Sequence, residues 1–513
     1  MFKNQPKGLF ALALANTGER FGYYTMLAVF ALFLRANFGL SAGAAGAIYS
    51  TFLAFVYFLP LIGGILADKI GYGKCVTIGI IVMFLGYVLL ALPMGGVESG
   101  NTALAMCFMI TALVLISFGT GLFKGNLQVM VGNLYDDPQY ADRRDAAFSL
   151  FYMAINIGAM FAPTAAVKIM DWAQQTMGVS VNDSYHFAFG VACLSLVLSI
   201  VIYYACRPWF KHVENTSKQA AASGQQVETL TPEQTKKRIV ALCLVFAVVI
   251  FFWMAFHQNG LTLTYFADKF VAPVSTGIQA MAFDIVNLVM VAILVYVCFG
   301  LVGEGSKKSK TVWSCIGVVA LGVLAYKFLN RPAEVAVSAP IFQQFNPFYV
   351  VALTPISMAI FGALAKKGKE PSAPRKIAYG MLVAAAAYAV MAGGSIGLLT
   401  PNAQEAALAA GQTPAFADAN LLIGTYLILT FGELLLSPMG ISFVSKVAPP
   451  QYKGMMMGGW FVATALGNFL VSVGGFLWGS LPLWLVWSVF IGVCLIAAIF
   501  MFAMMGKLED ATK

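Results

Sequence analysis

Apolar stretches of about 20 residues, each closed by a short polar turn, recur along the whole chain. They predict membrane-spanning helices at roughly 9–34, 44–67, 74–94, 102–133, 146–169, 186–206, 237–266, 277–303, 311–329, 341–365, 376–395, 419–446, 454–478 and 482–506. A barrel strand needs only about 10 residues, so runs of this length predict an all-α membrane protein. About fourteen spans, an even number, put both termini on the same side. The composition agrees: 60% of residues are hydrophobic and 10% charged, a balance outside the range of soluble domains. The first run is longer than a cleavable leader, carries Glu19 and Arg20, and has no small-residue cleavage site after it, so it is expected to stay as the first helix.

The net charge of +9 changes the picture only through its placement. Lys and Arg are scattered among short loops, which argues against nucleic acid as a partner. With the N-terminus in the cytoplasm, Lys3, Lys7, Lys69, Lys74, Arg143, Arg144, Arg207, Lys236, Lys237 and Arg238 fall on one side, as do most of the later basic residues. The opposite loops hold only Arg35, Lys168, Lys269, Lys327 and Arg331. This asymmetry predicts a multi-pass protein of the cell (inner) membrane with both termini cytoplasmic. The eight cysteines lie in or beside apolar spans without metal or disulfide spacing and read as small packing residues, so no metal or cofactor is expected. No nucleophile–base pair is visible, which argues against an enzyme.

Four ionisable residues lie deep within the spans: Glu19, Arg20, Lys124 and Glu433. A charge at that depth is costly unless paired or wetted, and so marks a candidate site. Neighbours on a helix point about 100° apart, so Glu19 and Arg20 are expected to find partners on other helices: Lys124 for Glu19, and a substrate carboxylate or the region around His257 for Arg20. Uncharged polar groups accompany them: Asn156, His257, Gln258 and Asn346, with Tyr23, Tyr24, Tyr57 and Trp460. Cations come from the first half and the extra anion, Glu433, from the second. A cleft so lined suits a small zwitterion, either a peptide or an amino acid.

The loop Gly64-Ile-Leu-Ala-Asp68-Lys69-Ile-Gly71-Tyr-Gly-Lys74 resembles the loop signature of the major facilitator superfamily, in which Asp68 near a helix end would lock and release neighbouring helices. The alternative is a Gly-rich turn carrying topological lysines. Further along, Glu19-Arg20-Phe-x-Tyr23-Tyr24, Phe151-Tyr-Met-Ala-Ile-Asn156-Ile-Gly158, Gln344-Phe-Asn346-Pro347, Gly432-Glu-Leu-Leu-Leu-Ser-Pro-Met-Gly-Ile-Ser442 and Met457-Gly-Gly-Trp460-Phe resemble, in order, the motifs of the proton-coupled oligopeptide transporter family. The resemblance implies a major facilitator fold of two six-helix halves plus two extra helices. The expected boundaries are an N-terminal bundle at 1–206, a cytoplasmic linker at 207–236, helix 7 at 237–270, two accessory helices at 271–335, and the rest of the C-terminal bundle at 336–513. It further implies import of di- and tripeptides by proton symport. Tyr23, Tyr24, Tyr57, Lys124, Asn156, Asn346 and Glu433 would line the site, Glu433 would meet the peptide amino terminus, and Trp460 would form an apolar wall.

The chain departs from the family pattern at named positions. Asn16 stands where the family has a first glutamate, His257 where it commonly has an acid in helix 7, Leu27 where it has an arginine and Gly125 where it has a proline. Proton coupling is therefore expected to be rewired through Glu19, His257 and Glu433, with Asn16, Arg20 and Asp68 in coupling or gating. The accessory pair also sits after helix 7 rather than before it, and Asp284 and Asn287 there are given no functional role. The expected partners are a peptide, protons and the bilayer, with the protein as a monomer. The alternatives are another small zwitterion or peptide-like solute, such as an amino acid or cell-wall fragment, with weak or no proton coupling, and a non-transporting sensor, for which no signalling domain is visible.

Overall fold

The computed structural model describes residues 5–93, 95, 100–135, 139–140, 144–214, 231–303, 305–449 and 453–511. Among them, fourteen segments are long and apolar enough to cross a membrane, matching the number expected. The chain divides into two compact units. The first comprises Met1–Leu261, Phe443–Leu477 and Asp510–Lys513, and the second Thr262–Ser442 and Trp478–Glu509.

In the first unit, α1 (Lys7–Phe38), α2 (Ala42–Ile70), α3 (Tyr72–Ala91), α4 (Thr102–Asn133), α5 (Arg144–Met177) and α6 (Val181–Ala205) form the bundle. They are joined by α7 (Pro232–Phe256), α15 (Lys453–Phe469) and α16 (Ser472–Leu477). Small residues set how closely these helices approach, as expected where lipid tails leave no hydrophobic gain between apolar faces. A methyl group at Gly63 on α2 would lie 2.1 Å from the Gly121 carbonyl of α4, and one at Gly79 on α3 would lie 2.7 Å from the Gly119 carbonyl. The opening of α7 is specified locally: Thr231 and Gln234 form a capping box, with Pro232 in the first turn.

The span expected at 237–266 is not one continuous helix. It stops at Phe256, passes through a 3-10 turn at His257–Gly260, and resumes as α8 (Thr262–Phe270) in the second unit. Gln258 holds this break, its Nε2 donating to the carbonyls of Met254 (3.1 Å) and Val471 (3.0 Å). At Gly260 a Cβ would fall 1.8 Å from the Tyr49 hydroxyl oxygen, so only glycine lets the turn pass.

Within the stretch read as linker, Arg207–Trp209 and Lys211–Val213 fold as 3-10 turns, and residues 215–230 lie outside the described ones. The Glu214 carboxylate accepts from Arg207 Nη2 (2.7 Å) and the Tyr203 hydroxyl (2.9 Å). Its backbone carbonyl accepts from Gly73 at the start of α3 (3.3 Å). The carboxylate's hydrogen bonds hold the Arg207 pKa above its ordinary value. Asp68 lies near the end of α2, but its side chain is outside the described ones.

The second unit contains α8, α9 (Ile285–Val302), α10 (Lys307–Leu329), α11 (Phe345–Lys366), α12 (Ala373–Gly394), α13 (Pro401–Ala409), most of α14 (Ala419–Val447), α17 (Leu483–Ala503) and most of α18 (Met505–Asp510). The accessory pair α9 and α10 is bracketed by antiparallel strands β1 (Val274–Thr276) and β2 (Glu334–Ala336), with Ser275 opposite Val335. Asp284 caps α9 through the Val286 amide (2.9 Å) and pairs with Lys327 at the end of α10 (2.6 Å). These residues close the base of the insertion. At the far end of the unit, Glu509 accepts from Arg375 Nε (2.7 Å) and Ser372 (2.6 Å). A carboxylate in α18 thus grips the start of α12, as Glu214 after α6 grips the start of α3.

All eight cysteines are free thiols, and only Cys75 and Cys494 are buried. The other six are at least partly exposed.

Candidate functional site

The first interior cluster begins on α1. Glu19 and Arg20 are 1% and 3% exposed and pair with each other, Arg20 Nε donating to Glu19 Oε2 and Nη2 to Oε1. This corrects the expectation that they seek partners on other helices. The 100° between neighbouring Cα–Cβ directions does not bind a guanidinium on a three-carbon stem, which folds back to meet the carboxylate in a two-point fork. The Arg20 guanidinium also lies 4.6 Å from the Tyr23 ring centroid, and Tyr24 meets Tyr23 edge-on at 5.2 Å. Asn16, one turn earlier, is buried, and its Nδ2 has no hydrogen-bond partner among the described residues.

Because Glu19 spends both oxygens on Arg20, Lys124 does not form the ion pair expected for it. Its Nζ sits 3.9 Å from the centroid of the Tyr57 ring, a cation–π contact between α4 and α2. Beyond Tyr57, at 6.4 Å between centroids, lies His257, whose ring stacks on Trp253 at 5.0 Å and 18°. Asn468 on α15 is fully buried beside this ring, and neither of its amide atoms meets hydrogen-bond geometry. Trp460, also on α15, is buried in the same unit. Asn156 is not brought into the cluster by any described contact: its amide donates to the Tyr152 carbonyl of its own helix (3.0 Å). Around it α5 lies close to α1: Thr17 donates to the Ala154 carbonyl (3.1 Å) and a Cβ at Gly158 would lie 3.0 Å from the Thr17 carbonyl.

The second cluster lies on α11 and α14. Glu433, 7% exposed, accepts from Asn346 Nδ2 at 2.8 Å, and the same amide reaches the Thr430 hydroxyl at 3.0 Å. Among the described residues no cation pairs with Glu433. The Asn346 amide is a neutral donor and supplies no compensating charge.

Thr430, Trp253 and Asn468 were not singled out from the sequence. The first two stand three and four residues before Glu433 and His257, on the same helix face, and that spacing carries the signal. Asn468 has no comparable signal, because its nearness to His257 depends on how α15 packs against α7.

Spanning helices whose interiors hold an ammonium and a carboxylate without ionic partners define a membrane solute carrier. Residues 73–232 and 323–475 match the POT family. Among the relatives, the dipeptide and tripeptide permease A of Citrobacter koseri is 27% identical over 494 residues, covering 93% of this chain and 84% of the permease. That of Klebsiella pneumoniae is 28% identical over 477 residues, covering 90% and 82%. A crystal structure of a peptide transporter POT in complex with sulfate is similar at a TM-score of 0.73 and 23% identity, covering 100% of this chain and 96% of that one. A POT family transporter in complex with 5-aminolevulinic acid is similar at 0.72 and 19%, covering 100% and 98%. The chain belongs to the POT family and has the transporter fold expected from its sequence.

Proposed function

We propose that this protein imports di- and tripeptides across the cell (inner) membrane by alternating access, with protons as the coupling ion. The observation that carries the reading is the pair of uncompensated interior charges, Lys124 and Glu433, in a chain of this family. Lys124 takes the peptide carboxylate and Glu433 the peptide ammonium, each gaining the ionic partner it lacks. Tyr23, Tyr24, Tyr57, Asn156 and Asn346 line the peptide backbone, and Trp460 supplies an apolar wall that tolerates varied side chains. Binding and release bias which side of the membrane is open, as the two six-helix halves rearrange. Glu19, His257 and Glu433 carry the coupling, with Asn16, Arg20 and Asp68 setting the gate, and the protein works as a monomer with both termini cytoplasmic.

A second reading, transport of another small zwitterion, is favoured by the 5-aminolevulinic acid bound to one structural neighbour. Uptake of labelled Ala-Ala into liposomes, with proton and sodium gradients imposed separately, tests both. Uptake driven by an inward proton gradient is expected. Uptake indifferent to pH overturns the coupling, and no peptide uptake overturns the substrate.

A further inference from the structure

Along α11 the second unit carries two features that peptide transport does not use. The first is a Schellman turn at the end of the helix, where Gly368 has φ +64°, its amide donates to the Ala365 carbonyl (2.9 Å) and that of Lys369 to the Leu364 carbonyl (2.9 Å). Because the chain doubles back there, Lys366, Lys367 and Lys369 crowd one turn, and all three are exposed. The next cations along the chain, Arg375 and Lys376, are spent on Glu509 and Glu370, whereas these three lysines form no ion pair among the described residues.

The second is a groove of about 410 Å³ between α11, α12 and α14, lined by the apolar side chains of Leu353, Val383, Ala386, Leu427, Ile428 and Phe431. Its volume is that of a ligand site, ~300–1,000 Å³. At about 100° per residue, Leu427, Ile428 and Phe431 point away from Thr430 and Glu433, so the groove lies on the other face of α14 from the polar cluster. Between the groove and the lysines α11 is bare: Met358 is 70% and Ile360 44% exposed, and nothing lies within 4 Å of a Cβ built at Gly362. From Leu353 to Lys366 the helix rises about 20 Å, at ~1.5 Å per residue. One leaflet, from headgroups to midplane, measures about the same, half of ~40–45 Å.

The two features therefore match the two ends of one lipid. An apolar lining inside a span takes hydrocarbon, and a turn of unpaired lysines takes a phosphate, their stems lying along the bare helix with the ammonium groups at headgroup level. We propose that an anionic phospholipid of the surrounding membrane binds along α11, with its headgroup on Lys366, Lys367 and Lys369 and one acyl chain in the groove between α11, α12 and α14. Membrane topology asks only for the charge of these lysines, whereas the lipid site needs the groove as well. The site lies wholly in the second unit, is independent of the peptide reading, and on the topology proposed above belongs to the cytoplasmic leaflet.

The test is lipid binding to the purified full-length protein, read by native mass spectrometry, with dioleoyl phosphatidylglycerol against dioleoyl phosphatidylcholine. Each lysine near an anionic headgroup contributes about fivefold in affinity, so phosphatidylglycerol is expected to bind at least about tenfold more tightly. Lys366→Gln, Lys367→Gln and Lys369→Gln combined are expected to bring the ratio towards one, and the corresponding three changes to Arg to keep it. Ala386→Phe fills the groove without touching charge and is expected to weaken phosphatidylglycerol several-fold. Equal binding of the two lipids by the wild-type protein overturns the proposal, as does a preference that survives the triple Gln variant. A preference lost in that variant but untouched by Ala386→Phe leaves a lysine belt without an acyl seat, and overturns the groove. A competition on the wild-type protein needs no variant: soluble glycerol phosphate is expected to leave bound phosphatidylglycerol in place, and its displacement at equal concentration would reveal an anion site that needs no chain, overturning the lipid.

Discussion

The two interior clusters solve the same problem in opposite ways. In the first unit a cation, Lys124, rests on the face of Tyr57, whereas in the second a carboxylate, Glu433, accepts from the amide of Asn346. Both charges are steadied by a neutral group that cannot cancel them. Glu19 and Arg20, one turn from Tyr23 and Tyr24, are the contrast: each fully satisfies the other, and neither charge is left over. Burial of a charge therefore does not by itself mark a ligand contact. The absence of an ionic partner does, because only such a charge gains from meeting a substrate.

The comparison predicts that loss of the compensated pair shows in stability, beside its part in coupling and gating, whereas loss of the uncompensated charges shows in uptake with the fold intact. Glu19→Ala leaves a buried guanidinium unpaired and is expected to cost about 3–5 kcal/mol of stability, read as a large drop in the melting temperature of the purified protein. An unchanged melting point would show that Arg20 finds another partner. Glu433→Gln keeps the shape and the hydrogen bond to Asn346 but loses the charge. It is expected to lower peptide uptake roughly 10- to 100-fold with little change in melting, as is Lys124→Ala, since a hydrogen bond to a charged group contributes about 1.5–3 kcal/mol. Normal uptake by either variant would sever that charge from substrate binding.

Smaller effects sharpen the contrast. Thr430→Val removes one acceptor from the Asn346 amide and is expected to cost about 1 kcal/mol, lowering uptake less than Glu433→Gln does. A larger loss than that of Glu433→Gln would make Thr430 a ligand contact itself. The surface clasps should matter least. Arg375 and its partner Glu509 are 51% and 29% exposed, and after solvent screening the loss of Arg375 is expected to cost at most about 1 kcal/mol in melting experiments.

Much of the architecture was legible in advance. Spans are readable because the bilayer demands a fixed length of apolar residues, and the cap at Thr231 is readable because its hydrogen bonds close within four residues. The break at His257–Gly260 was not, because its bridge runs from Gln258 to Val471 and its tight passage is set by Tyr49, both distant in sequence. Likewise, the Asn468 amide beside His257 is a product of α15 packing on α7.

The sequence by itself determined that about fourteen segments are long and apolar enough to cross a membrane, that Glu19, Arg20, Lys124 and Glu433 lie deep within them, and that the motifs around these residues resemble those of the POT family in order. Only the tertiary structure decided which of those charges cancel. Hydropathy and motif spacing report where a Cα lies along a helix, whereas pairing depends on where a long side chain ends, several ångströms away and free to fold back. That freedom placed Arg20 on Glu19 and left Lys124 on a tyrosine ring.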